Sequence, residues 1–156
     1  MELLAPAGNF DKLVTAVHYG ADAVYFSGKK FGLRAFAGNF DGDEIFKAMD
    51  YLHERGKKGY VTLNIVAKDE DFIGLDDYLK LLIDAKVDGL IVSDVGLIYY
   101  IRKNFPSLSV HVSTQANVNN SQSAKFFADL GCTRIVLARE LSLEDIKKMH
   151  QTLGDK

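Results

Sequence analysis

Six times along the chain a short apolar run gives way to a longer segment whose apolar residues fall at three- and four-residue spacing. The runs are Glu2–Ala5, Ala23–Ser27, Gly59–Asn64, Gly89–Ser93, Ser109–Thr114 and Arg134–Ala138, each short enough for a strand and bounded by turn-forming or polar residues. The segments between them predict helices at about Phe10–Tyr19, Gly42–Arg55, Leu75–Ala85, Gly96–Asn104, Ser121–Leu130 and Ser142–Leu153. Ile45, Met49 and Leu52 line one face of the second, and Leu79, Leu82 and Ile83 one face of the third. Asp71 and Asn120 are placed as cap or near-cap residues, and Ser142 is followed by Glu144 and Asp145 in a first turn. The octapeptides GADAVYFS (Gly20–Ser27), KVDGLIVS (Lys86–Ser93) and GCTRIVLA (Gly131–Ala138) repeat one transition, from a helix end through polar residues into an apolar strand. Such alternation implies a parallel sheet with right-handed crossovers.

The strand faces choose between the two architectures that fit. Val61, Leu63 and Ile65 oppose Tyr60, Thr62 and Asn64; Val110 and Val112 oppose His111, Ser113 and Gln115; Val24 and Phe26 oppose Tyr25 and Ser27. A doubly wound sheet covered on both faces needs near-continuous apolar strands. Polar inner faces leading to strand C-termini suit a barrel whose axis opens into a site. The expected fold class is therefore α/β, a TIM-type (β/α) barrel, incomplete here, with about six βα units of eight. Residues 1–156 read as one α/β domain, the N-terminal part of a longer barrel enzyme. The alternative is a homo-oligomer in which copies cover each other's exposed barrel edges, since unpaired edges invite association.

A net charge of −2 gives no basic surplus of the kind that marks a nucleic-acid binder, although a local patch is compatible with it. No run of about 18 apolar residues is present, so no membrane partner is expected. The N-terminus lacks the basic and apolar regions of a signal peptide, and the expected location is the cytoplasm. The single Cys132 forms no internal disulfide and by itself holds no metal, so no metal site is expected.

Barrel ligands gather at the C-terminal ends of strands. There the chain carries Pro6, Gly8 and Asn9 in a tight strand-to-helix turn, which is either an anion site or an ordinary capped loop. Ser27 is followed by a long segment containing Lys29, Lys30, Phe31, Arg34, Phe36 and Phe40. Its cations and aromatics suit a phosphate or a stacked base, or else pin the loop to the rim. Asn64, Ser113, Gln115 and Asn117 offer hydrogen bonds to a polar substrate. His111, deeper in its strand, reads as an interior histidine, and Asp94 as a helix cap. Arg139 and Glu140 close the sixth strand; with Val136 and Ala138 inward, Glu140 points inward too, as an acid or base or as half of an Arg–Glu pair. Lys57 and Lys58 read as solvated charge. No HExxH, GxSxG or spaced Cys–His pair is present.

Two long stretches carry a resemblance: ELLAPAGNFDKLVTAVHYGADAVYFSGKKFGLRAFAGNF and HVSTQANVNNSQSAKFFADLGCTRIVLARELSLEDI. They resemble the N-terminal barrel portion of the collagenase-like peptidase family (peptidase U-32). The resemblance implies a barrel and a parent enzyme of one of two kinds, a protease or an oxygen-independent hydroxylase of tRNA bases, rRNA bases or ubiquinone precursors. The hydroxylase reading, with RNA as substrate, is preferred; a peptide substrate follows from the protease reading, and a non-catalytic folding or assembly module is the third. In hydroxylating relatives a cysteine cluster is thought to hold an iron–sulfur centre. This chain would hold no cofactor, its cysteine ligands lying beyond Lys156 in the full-length parent, and by itself would be inactive. Candidate substrate-binding residues are Pro6, Gly8, Asn9, Ser27, Arg34, Asn64, Ser113, Gln115 and Asn117; candidate catalytic residues are Arg139 and Glu140.

Overall fold

In a computed structural model of the chain, residues 1–31 and 39–153 are described. Six strands, β1 (Leu4–Pro6), β2 (Ala23–Ser27), β3 (Lys58–Leu63), β4 (Gly89–Val92), β5 (Val110–Val112) and β6 (Arg134–Ile135), form one sheet in sequence order. Every neighbouring pair is parallel. The connecting helices are α1 (Phe10–His18), α2 (Gly42–His53), α3 (Leu75–Asp84), α4 (Val95–Asn104) and α5 (Ser121–Asp129), and α6 (Leu143–Leu153) follows β6. The result is an α/β half-barrel with β1 and β6 as its edges.

Period-two alternation divides each strand between two environments. Val24, Phe26, Val61, Leu63, Leu90, Val92, Val110 and Val112 pack with Leu13, Ile45, Leu52, Leu79, Leu82, Leu97 and Ile101 of the helices, forming the main core. The opposite face carries a separate small cluster of Ala23, Tyr60 and Ile91, with Leu4 and Tyr25 against it. Register continues this inner face across the sheet: Ser27 pairs with Thr62, Thr62 with Ile91, Ile91 with His111, and His111 with Arg134. The middle of the inner face is thus apolar and aromatic, with charged groups at its N-terminal end and polar side chains toward the strand C-termini.

Local signals set the helix starts. Asn9, Asp41, Asp94 and Asn120 each accept a backbone N–H from the first turn of α1, α2, α4 and α5, and Asp41 with Glu44 completes a capping box. Asp71 does not cap α3. It accepts the Lys68 N–H and closes a 3₁₀ turn at Asp69–Phe72, while α3 begins after Gly74 at φ 77°.

The lysine pair at the start of β3 is more than solvated charge. Lys57 pairs with Asp22 at 3.5 Å, and Lys58 lies 3.7 Å from Glu2. Glu2, just before β1, also receives a hydrogen bond from Arg134 Nη1 of β6 and one from the Tyr60 hydroxyl, shared between its two oxygens at 3.0 and 3.1 Å. A charge cluster therefore ties the two edge strands together across the inner face. Hydrogen bonding from Arg134 holds the Glu2 carboxyl below its ordinary range. Because its folded pKa is lowered, the stabilisation is present above the ordinary carboxylate value and is lost as pH falls through the lowered one. Arg134→Ala is expected to cost on the order of 1 kcal/mol at pH 7, since both groups are partly exposed. Urea unfolding at pH 7 and pH 3 checks this: the gap between wild type and variant should shrink at the lower pH.

Candidate functional site

At the C-terminal ends of the strands the inner face opens into a cavity of about 490 Å³, within the range of small-molecule sites. Pro6, Gly8, Ser27 and Asn64 line it, as do Ser113, Gln115 and Arg139. Seven of the candidate residues, from the C-terminal ends of β1 and β2 and the segments that follow β1, β3, β5 and β6, are thereby brought together.

Other candidates stand elsewhere. Asn9 is exposed and its side chain is committed to the α1 cap, accepting the Lys12 N–H at 2.9 Å. Asn117 is exposed, in the left-handed region at φ 53°, where it ends a 3₁₀ turn at Thr114–Ala116. Glu140 is exposed and does not line the cavity. The inward direction expected for it assumed alternation to Ala138, but β6 ends at Ile135, and the Ala138 N–H turns to the Val118 carbonyl. Arg139 reaches the rim from this turn instead of from a strand. Arg34 lies outside the described residues, as do Phe36 and the rest of 32–38. Of the same segment, Lys29 is tied to Asp41 at 3.0 Å and Phe40 is buried against Phe26.

Several lining residues were not among the candidates. Tyr25, Thr62 and Ile91 line the cavity; alternation already put Tyr25 and Thr62 on the inner face. Asn39, Thr114 and Leu137 lie outside the strands and carry no periodic signal.

Hydrogen bonds order the wall. Thr62 Oγ1 donates to the Phe26 carbonyl at 3.4 Å, Ser27 Oγ to the Gly28 carbonyl at 3.2 Å, and Thr114 Oγ1 to the Leu137 carbonyl at 3.1 Å. Ser113 Oγ accepts the Gln115 N–H at 3.3 Å. The Asn64 Oδ1 is buried without a hydrogen-bond partner among the described residues. His111 lies below the cavity, 5% exposed, its ring edge-on to Tyr60 at 4.6 Å. Burial, with help from nearby Arg134, lowers its pKa to about 4, which keeps it neutral at pH 7. It belongs to the packed interior, as the sequence suggests.

Cys132 lines a smaller groove of about 270 Å³ between β6, α5 and α6, away from the mouth. Burial pushes its thiol up to about 11, so it is neither a ready nucleophile nor a ready metal ligand. No group of three or more His, Cys, Asp and Glu able to hold a metal occurs among the described residues. The residues of this chain therefore do not fit an iron–sulfur group by themselves. No helix among the described residues is long and apolar enough to cross a membrane.

A mouth site on a half-barrel is shared by many enzymes, and comparison with known proteins narrows it. A sequence model described as peptidase family U32 matches residues 8–155. The chain belongs to peptidase family U32. It is 47% identical to tRNA hydroxylation protein P1 of Bacillus subtilis over 150 residues, covering 96% of this chain and 36% of that protein. It is 34% identical to a protein of Porphyromonas gingivalis named collagenase, covering 97% of this chain and 36% of the relative. The chain thus spans about a third of the length of these relatives. The solved U32 peptidase Mk0906 superposes with a TM-score of 0.81 at 20% identity, covering 99% of this chain and 66% of that one. The superposition supports the barrel-type fold of this U32 member.

Proposed function

We propose that this chain forms the substrate-binding mouth of an RNA-modifying U32 enzyme that hydroxylates a base of tRNA or rRNA, with tRNA favoured. The observation that carries the reading is the 47% identity, over nearly the whole chain, to a protein named for tRNA hydroxylation. The relative named collagenase is more distant, at 34%. The cavity is chemically compatible. An enzyme acting on a base draws it out of the stack into a pocket and reads its edge by hydrogen bonds and ring contacts. Here Tyr25 supplies an aromatic ring, Asn64 and Gln115 supply amides, and Arg139 supplies a cation at the rim suited to a phosphate.

In this reading the redox chemistry, including cysteine ligands for an iron–sulfur cluster, comes from the longer protein, which also supplies further βα units to cover the free edges of β1 and β6. A cytoplasmic location goes with this reading. The test expresses the longer protein in Escherichia coli lacking its tRNA hydroxylation protein P, a 38% identical relative. Digested tRNA is then analysed by mass spectrometry. Return of the missing hydroxylated nucleoside is the expected result. Well-expressed protein that restores none in tRNA or rRNA, or that cleaves gelatin instead, overturns the proposal.

A further inference from the structure

The polar side chains of the mouth cavity differ in what they have left to offer. The hydroxyls of Ser27, Thr62 and Thr114 each donate to a backbone carbonyl, and that of Ser113 is taken by the Gln115 N–H. These groups build the wall. Asn64 stands apart: it follows β3 on the inner face, two residues beyond Thr62, and its Oδ1 is buried in the lining with no partner among the described residues. Two other buried atoms share that condition, the Tyr78 hydroxyl and Arg102 Nε, and neither residue lines the cavity.

A buried acceptor without a protein partner loses hydration and gains nothing from the protein, and in a cavity its donor is supplied by water or by a bound ligand. A carboxamide also carries two N–H donors beside its oxygen. It therefore matches a ring edge on which an N–H adjoins an acceptor, as on the pairing edge of every nucleobase. Asn64 follows directly on the end of β3, and Tyr25 and Ile91 supply flat and apolar surface in the same cavity. The geometry points to Asn64 as the residue that grips the base in this site: its Oδ1 accepts an N–H from the edge of the bound base, and its amide nitrogen donates to the neighbouring acceptor. The inference deepens the RNA reading and rests on it for the ligand class.

The test uses the longer protein, as wild type, Asn64→Leu and Asn64→Asp. Leucine keeps the volume and sacrifices no hydrogen bond within the protein, so the melting temperature of Asn64→Leu is expected to be unchanged or slightly raised. Binding of free adenosine, guanosine, cytidine and uridine is measured by equilibrium titration. The nucleoside that wild type binds best is expected to bind Asn64→Leu about tenfold more weakly or worse, and Asn64→Asp, which keeps acceptors and loses donors, is also expected to bind it more weakly. In the complementation assay Asn64→Leu should restore less than about a tenth of the wild-type hydroxylation. A fall in melting temperature with binding unchanged overturns the inference and makes Asn64 structural. So does wild type binding none of the four, or Asn64→Leu restoring hydroxylation as well as wild type, and this last result leaves the RNA reading standing. Asn64-dependent nucleoside binding by a protein that restores no hydroxylation does the opposite: the residue's role holds and the proposed reaction fails.

Discussion

Between pH 7 and pH 5 the protein is expected to lose about 2 kcal/mol of stability through His111 alone. The ring is buried on the inner face of β5, edge-on to Tyr60, and burial is the main cause that lowers its pKa to about 4. Arg134 and Lys58 lower it further, and Glu2 opposes them. The unfolded chain takes up the proton near the ordinary histidine value of about 6.5. A lowered folded pKa means that the stabilisation is complete above the unfolded value. It falls away as the pH drops from about 6.5 toward 4. Glu2, Asp22, Asp41 and Asp145 have lowered pKa values and stay ionised between pH 7 and pH 5, and comparison with a variant at position 111 separates the share of His111 from that of the other three histidines. Denaturant unfolding of wild type and His111→Phe at both pH values provides the check. The variant is expected to change far less between them, whatever its absolute stability. Equal pH dependence in both proteins would show that His111 is not the group responsible.

Gly28→Ala is expected to destabilise the protein by about 1–3 kcal/mol, and Tyr78→Phe to recover more than half of that loss. A β-carbon at position 28 would overlap the Tyr78 hydroxyl and stand 3.1 Å from the ring carbon that bears it. Tyr78 has little room to retreat: it is 9% exposed, belongs to the main core, and its ring packs on Phe31 at 5.1 Å. Its hydroxyl is buried without a partner among the described residues, and burial raises its pKa. Tyr78→Phe alone sacrifices no hydrogen bond and should be neutral or stabilising. The double variant removes the overlap, so the two substitutions should be strongly non-additive. Thermal or urea unfolding of the four proteins measures the coupling; simple additivity would rule out this contact as the reason for glycine.

Much of the fold was legible because its signals are periodic. The alternation that set Val110 and Val112 against His111 and Ser113 survives in the structure, with the valines in the helix-side core and Ser113 in the cavity wall. The caps at Asn9, Asp94 and Asn120 were equally readable, since one short polar side chain and the next turn suffice to make them. Prediction failed where a tertiary contact ended a pattern. Glu140 followed from counting alternate residues along β6, yet the strand stops at Ile135 and the Ala138 N–H goes to the Val118 carbonyl. Asn117, read as part of the same polar stretch, is exposed at the end of a 3₁₀ turn and does not line the cavity. The cluster of Glu2, Tyr60 and Arg134 joins residues up to 132 positions apart and leaves no local trace.

The sequence by itself determined the order of strands and helices, the faces of most strands and the family. Each of these depends on spacing between near neighbours or on motifs that can be read directly. Only the tertiary structure decided which polar groups are spent and which remain available. Asn64 and Thr62 are equivalent by alternation, two residues apart on one face. Thr62 is satisfied by a carbonyl of β2, whereas the Asn64 oxygen has no such neighbour. Hydrogen bonding depends on atoms brought within about 3 Å from distant parts of the chain, and no periodicity within a strand encodes that.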